Sequence, residues 1–141
     1  MKRVMLMGAS GCGKTTLCQR LCGDEIAYRK TQAIEWMHTA IDTPGEYLEN
    51  RAFYKALVVT ATQADALLFL QDATDGRFCF SPGQAQMFGA MVWGVVTKCD
   101  AASREEINAA RGLLELAGAQ EIFEVSAKTG EGCAALLAAL E

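Results

Sequence analysis

The sequence predicts an α/β protein built on a doubly wound, mostly parallel sheet. Three observations carry that reading. The apolar run Val4-Met5-Leu6-Met7 leads straight into Gly8-Ala9-Ser10-Gly11-Cys12-Gly13-Lys14-Thr15 and then Thr16-Leu17-Cys18-Gln19-Arg20-Leu21, in the order strand, glycine-rich loop, helix. Two later runs, Ala66–Leu70 and Met91–Val96, are continuously apolar, as strands covered on both faces are. Segments of helical spacing alternate with these strands, an order that places ligands at the carboxyl ends of a parallel sheet.

Taken in order, the first helix is expected from Gly13 to about Cys22, ending at Gly23, a usual residue just past a helix. A polar stretch then gives way to Ala33-Ile34-Glu35-Trp36-Met37, whose period-2 alternation predicts an edge strand. Thr39-Ala40-Ile41 predicts a further short strand, closed by Pro44 and Gly45. Arg51 to Thr62 sets Phe53, Tyr54, Leu57, Val58 and Ala61 at helical spacing despite its β-branched content. Ala66–Leu70 is the next strand, and Asp72 to Gly83 reads as loop from its Gly76, Ser81, Pro82 and Gly83. After the strand Met91–Val96, Ser103 and Glu106 form a capping box for a helix that closes at Gly118. Ile122–Val125 is the last strand, and Gly132–Leu140 the last helix. With no internal repeat and no linker, residues 1–141 read as one domain, long enough to bury about 68–70% of its unfolded surface.

Composition narrows the function classes. Hydrophobic residues make up 51% and charged residues 21%, with a net charge of −4, so no basic face for nucleic acid is expected. The longest apolar run, Met87–Val96, falls far short of the roughly 20 residues a membrane-spanning helix needs. Met1-Lys2-Arg3 leads into the first strand rather than into a cleavable apolar segment, so no membrane partner and a cytoplasmic location are expected. The six cysteines contain no Cys-x-x-Cys pair and His38 is the only histidine, which argues against zinc and against a disulfide framework. Their scatter fits a reducing compartment, where cysteine serves as a small buried hydrophobe. Cys18 and Cys22 share a helix face, for which core packing is the simpler role.

The chemistry lies in short motifs at strand ends. Gly8 to Thr15 has the spacing Gly-x-x-x-x-Gly-Lys-Thr, a loop that delivers backbone N–H groups to phosphate at a helix N-terminus. Gly8, Ser10, Gly11, Cys12, Gly13, Lys14, Thr15 and Thr16 are therefore the expected phosphate-binding residues. Lys14 would place a point charge between the β- and γ-phosphates, and the Thr15 hydroxyl would ligate the accompanying Mg²⁺. In Asp42-Thr43-Pro44-Gly45 the carboxylate can hold Mg²⁺ through water, and the Gly45 N–H can reach the γ-phosphate.

Such a loop reads phosphates and not the base. At the end of a strand, Asp100 of Thr97-Lys98-Cys99-Asp100 can accept hydrogen bonds from the N1–H and 2-amino groups of guanine, neither of which adenine offers. Ser126-Ala127-Lys128, after the last strand, would bring the Ala127 N–H to the 6-oxo group of guanine, whereas the 6-amino group of adenine would meet donor with donor. Sites that leave polar groups unpaired discriminate by about 10⁴-fold or more. The expected ligand is GTP or GDP with Mg²⁺.

Gly8–Thr15, Thr31, Asp42–Gly45, Thr97–Asp100 and Ser126–Lys128 occur in the order and on the elements of the small Ras-like GTPases, and the chain resembles that class over essentially its whole length. Within the class, Lys30-Thr31-Gln32-Ala33-Ile34-Glu35 followed by Ile41-Asp42-Thr43-Pro44-Gly45-Glu46-Tyr47 is similar to the ethanolamine- and propanediol-utilisation GTPase-like proteins associated with bacterial microcompartments. The resemblance implies a P-loop NTPase fold, a single Ras-like G-domain with one antiparallel edge strand. It also implies that Thr31 contacts Mg²⁺ and the γ-phosphate beside Thr15 and Asp42, that hydrolysis of GTP is slow, and that shell or enzyme proteins of microcompartments are partners.

Three positions depart from the class pattern. Thr97 stands in place of asparagine, although its hydroxyl can tether the base loop in a similar way. Ser10 replaces a glycine where an activator's arginine would enter, and Glu46 replaces the water-orienting glutamine. A carboxylate beside a γ-phosphate is repelled unless a cation bridges it, so Lys14, Thr31 and Glu46 form a slow catalytic set. Arg29 and Lys30 are candidates to assist it, against the plainer reading of solvated loop residues. Two other functions fit the same loop: a kinase acting on a small carboxylate such as acetate, and a non-catalytic targeting module.

Overall fold

A computed structural model describes residues 4–8, 12, 13, 16, 17, 20, 35–37, 40–42, 54–62, 64–76, 80, 82–89 and 91–140. Strands β1 (Val4–Met7), β2 (Glu35–Met37), β3 (Ala40–Asp42), β4 (Ala66–Asp72), β5 (Met91–Thr97) and β6 (Ile122–Glu124) form one sheet in the order β2-β3-β1-β4-β5-β6. β1 runs parallel to both β3 and β4, and β4–β5 and β5–β6 are parallel as well. β2 pairs antiparallel with β3, Trp36 lying opposite Ile41.

The alternation of side chains along each strand divides the core between two faces. On one, Met5, Met7, Leu67, Phe69, Val92 and Val96 pack with Ala61 of helix α1 (Tyr54–Ala61) and with Ile107, Ala110, Leu114 and Ala117 of helix α2 (Arg104–Ala117). On the other, Val4, Leu6, Leu68, Leu70, Trp93 and Val95 pack with Leu17 and with Cys133 and Leu136 of helix α3 (Cys133–Leu140). Cover on both faces is why β1, β4 and β5 read as unbroken apolar runs, and Trp93 belongs to this core. Phe69 stacks on Phe80, ring centroids 4.3 Å apart, and meets Phe88 edge-on at 6.0 Å.

Helix α2 begins as its sequence requires. Ser103 Oγ accepts from the Glu106 N–H at 3.2 Å while the Ser103 N–H donates to Glu106 Oε1 at 3.0 Å, and Gly118 follows the last turn at φ 102°. Its outer side reaches β6, where Arg104 and Arg111 both bond Glu124, at 2.7 and 2.9 Å.

Several boundaries differ from the sequence reading: β3 takes in Asp42, β5 takes in Thr97, α1 ends at Ala61, α3 begins at Cys133, and two strand ends shift for a visible reason. β4 continues through Gln71 and Asp72 into what composition marks as loop, because Gln71 and Asp72 stay in register with Val96 and Thr97 of β5. Both are buried, and their polar groups are met locally: Gln71 Nε2 donates to the Asp75 carbonyl, and Asp72 Oδ1 accepts from the backbone and hydroxyl of Thr74. β6 stops at Glu124, after which the Val125 N–H still reaches the Val96 carbonyl at 2.9 Å. The same Asp72–Gly83 stretch is followed by a 3₁₀ turn at Gln84–Met87, whose last residue, Met87, is exposed. The proposals for Cys18, Cys22 and His38 lie outside the described residues.

Candidate functional site

All of the chemistry-bearing strand ends lie along the carboxyl edge of the sheet. Gly8 follows β1 there, and the parallel pairing of Leu6 with Asp42 brings the end of β3 beside it. A Cβ at Gly8 would sit 2.6 Å from Cys12 Sγ and 2.9 Å from the Leu70 carbonyl oxygen, so the glycine is needed for the loop to turn back over β4. Cys12 is buried in that turn. The Leu17 N–H bonds the Gly13 carbonyl at 2.9 Å, which starts the helix on which Thr16, Leu17 and Arg20 lie. Ser10, Gly11, Lys14, Thr15, Thr31, Gly45 and Glu46, with Arg29 and Lys30, lie outside the described residues, and Asp42 is described only as strand backbone.

A cavity of about 280 Å³ opens between this loop and the ends of β5 and β6. Its walls are Gly13, Thr16, Thr97, Lys98, Asp100, Ala127 and Lys128, all singled out from sequence motifs, together with Ala101. β5 delivers Thr97 to it, and Lys98 then turns with φ 59°, the one non-glycine residue with positive φ among the described residues. That left-handed step opens a 3₁₀ turn, Cys99–Ala101, which carries Asp100 to the cavity rim.

Two side-chain bonds set the geometry. Thr97 is 4% exposed, and its Oγ1 donates to the Cys12 carbonyl at 2.7 Å, tying the end of β5 to the glycine-rich loop 85 residues away. This is the tether that the asparagine position calls for, made here by a hydroxyl. Ser126, fully buried, donates from Oγ to Asp100 Oδ1 at 2.7 Å, which joins the two loops and fixes the carboxylate plane. Among the described residues the other oxygen of Asp100 and the Ala127 N–H meet no partner. Asp100 and Ala127 thus bring a carboxylate and a backbone N–H to the lining of one cavity.

Three residues that sequence reasoning did not single out hold the lining residues from behind. Asp72 Oδ2 forms an ion pair with Lys98 Nζ at 3.0 Å, and Gln71 lends its carbonyl to Thr97 Oγ1 at 3.4 Å. Arg20 donates from Nε and Nη2 to the Ala127 carbonyl at 3.0 and 2.7 Å. Their only trace in the sequence is polarity where an apolar pattern would otherwise continue. Burial pushes the thiols of both Cys99 and Cys133 up, so they stay protonated; Cys133 Sγ donates to the Ser126 carbonyl from beneath the loop. No cluster of three His, Cys, Asp or Glu side chains able to hold a metal occurs among the described residues, and none of their helices is long and apolar enough to cross a membrane.

Solved structures share this architecture. Translation elongation factor SelB from Methanococcus maripaludis, in complex with the GTP analogue GPPNHP, superposes with a TM-score of 0.68 at 22% identity, covering 99% of this chain and 32% of that one. Era of Aquifex aeolicus bound to GDP.AlF4- gives 0.67 at 20% identity, covering 99% and 56%. The fold is that of the P-loop GTPase G-domains.

Closer relatives come from sequence. The chain is 47% identical over 132 residues to the propanediol utilization protein PduV of Citrobacter freundii, covering 94% of this chain and 88% of that protein. It is 33% identical over 128 residues to an Escherichia coli (strain K12) protein named probable acetate kinase EutP, covering 89% and 80%. With a protein of the same name in Salmonella typhimurium it shares 46% identity over 76 residues, 48% of that protein. The model of the PduV-EutP family, ethanolamine utilisation - propanediol utilisation, matches residues 1–141, and the chain belongs to that family.

Proposed function

We propose that residues 1–141 form a single G-domain that binds GTP or GDP, with the base in the 280 Å³ cavity. The observation that carries this reading is the Ser126–Asp100 bond, which occupies one carboxylate oxygen and leaves the other without a partner among the described residues, at a cavity that Gly13 of the glycine-rich loop and Ala127 also line. The guanine edge satisfies both open groups, whereas adenine leaves each facing its own kind. The phosphates would lie along Gly8–Thr15 with Lys14 as their countercharge, and Thr15, Thr31 and Asp42 would hold Mg²⁺, which when bound neutralises charge developing on the transferred phosphoryl group.

Hydrolysis by in-line water attack is slow in this reading. Glu46 is an anion at the position that orients water, so Lys14 and Thr31 supply most of the stabilisation. The protein acts as a nucleotide-dependent switch in ethanolamine or propanediol utilisation, in the cytoplasm and next to microcompartments, with shell or enzyme proteins as its partners. The test is equilibrium titration with fluorescent GTP, GDP and ATP. GTP and GDP should bind far more tightly than ATP, and equal affinity for ATP would end the reading.

A second reading has a specific support, the name probable acetate kinase that the Escherichia coli and Salmonella relatives carry. Glu46 in place of glutamine would then keep water from competing with a carboxylate acceptor. Acyl phosphate trapped as its hydroxamate, above the level of a Lys14→Ala control, would favour this reading. Absence of product, with single-turnover GTP hydrolysis at the uncatalysed rate, would favour a non-catalytic targeting module.

A further inference from the structure

We infer that Arg20 is a positioning residue for base recognition, holding the Ser126–Lys128 loop so that the Ala127 N–H meets the 6-oxo group of the purine. The inference rests on the guanine-binding reading above. The turn is otherwise closed on itself. The Ser126 N–H bonds the Glu131 carbonyl, the Gly130 N–H the Ser126 carbonyl, and the Thr129 N–H Ser126 Oγ. These contacts fix the base of the turn at a fully buried Ser126 but leave its tip, Ala127 and Lys128, unfastened.

Arg20 fastens the tip. Nε and Nη2 converge on the Ala127 carbonyl at 3.0 and 2.7 Å, and Nη2 reaches the Lys128 carbonyl at 3.3 Å, so one planar group holds two successive peptides. Gly130, at φ 86°, lies beside the guanidinium, where a Cβ would make ordinary contact at 3.7 Å with Cζ and Nη1. Among the described residues these are the only side-chain bonds between the tip and another element, and they come from the helix that starts at the glycine-rich loop. Binding of phosphate at one end of that helix and reading of the base at the other are therefore joined through a single cation. Lysine reproduces the hold only in part, because it offers a point charge rather than a fork.

The experiment compares full-length wild type, Arg20→Met, Arg20→Lys and Asp100→Asn, by calorimetric titration with GDP and IDP. Inosine keeps the 6-oxo and N1–H groups and lacks only the 2-amino group that Asp100 reads. Arg20→Met should bind GDP and IDP about tenfold more weakly, with the GDP/IDP ratio of wild type unchanged, and Arg20→Lys should recover part of the loss. Should Arg20→Met not fold, Arg20→Lys carries the same comparison. Affinity within twofold of wild type in the Arg20 variants, while Asp100→Asn loses GDP, would overturn the inference and leave the guanine site standing. A shifted GDP/IDP ratio would overturn it too, since it would mean that the whole pocket had moved. No loss in Asp100→Asn would overturn the guanine reading and this inference together.

Discussion

The two loops that wall the candidate base site are held in opposite ways. Thr97–Asp100 is anchored from within: its Thr97 hydroxyl is buried against the Cys12 carbonyl, the Ala73 N–H bonds the Thr97 carbonyl at 3.0 Å, and Lys98 is paired with Asp72. Ser126–Lys128 is anchored at its base by its own turn and at its tip by Arg20, a half-buried side chain from another element. Asp100 and Ser126 join the two. A loop built into the sheet moves only if the sheet does, whereas a loop held by one cation can be released separately. The difference predicts that damage to the first loop costs stability as well as affinity, and damage to the second chiefly affinity.

The largest effect should come from breaking the joint. Asp100→Asn removes the acceptor for both the N1–H and 2-amino groups, and its amide N–H₂ would face those donors. Guanine affinity should fall on the order of 10⁴-fold while xanthosine diphosphate, with an acceptor at that position, becomes the preferred ligand. Competition titration measures both, and unchanged GDP binding would contradict the site.

Next in size is Thr97→Val, which keeps the shape and removes the hydroxyl. The buried Cys12 carbonyl loses that partner, and unfolding free energy should drop by about 1–3 kcal/mol in denaturant titration, with weaker nucleotide binding alongside. Thr97→Ser should restore most of both. A valine variant as stable as wild type would mean that the tether does not hold the first loop.

The smallest effect concerns the brace behind the second loop. The hydrogen bond from Arg104, aided by the charges of Arg104 and Arg111, holds the Glu124 carboxyl below the usual carboxylate range against the opposing effect of partial burial. Because the folded pKa is depressed, this contribution is complete above the unfolded value of about 4.3 and is lost as pH falls through the folded one. Glu124→Gln should flatten the acid limb of the stability–pH curve in that window and lower neutral-pH stability by the same small amount, small because the pair is solvent-screened. An acid limb identical to that of wild type would show that the brace is energetically silent.

Much of this was legible in the residues themselves. The capping box of α2 and the apolar β1, β4 and β5 came through because each is a local pattern with a local cause. The end of β4 did not, because Gln71 and Asp72 are polar, and only their register with β5 and their bonds to Asp75 and Thr74 show why polar residues continue a buried strand. Arg20 was equally silent: nothing in Gln19-Arg20-Leu21 points to a carbonyl 107 residues downstream.

Sequence by itself determined which chemical groups this protein brings to its strand ends: a glycine-rich loop, an aspartate after β5 and a Ser-Ala-Lys turn after β6. Residue type and spacing suffice for that, since each motif is contiguous and its chemistry is intrinsic. Only the tertiary structure decided how those groups are held at one cavity. That depends on pairings such as Thr97 with Cys12, Asp100 with Ser126 and Arg20 with Ala127, which exist because a parallel sheet lines up strand ends that lie far apart along the chain.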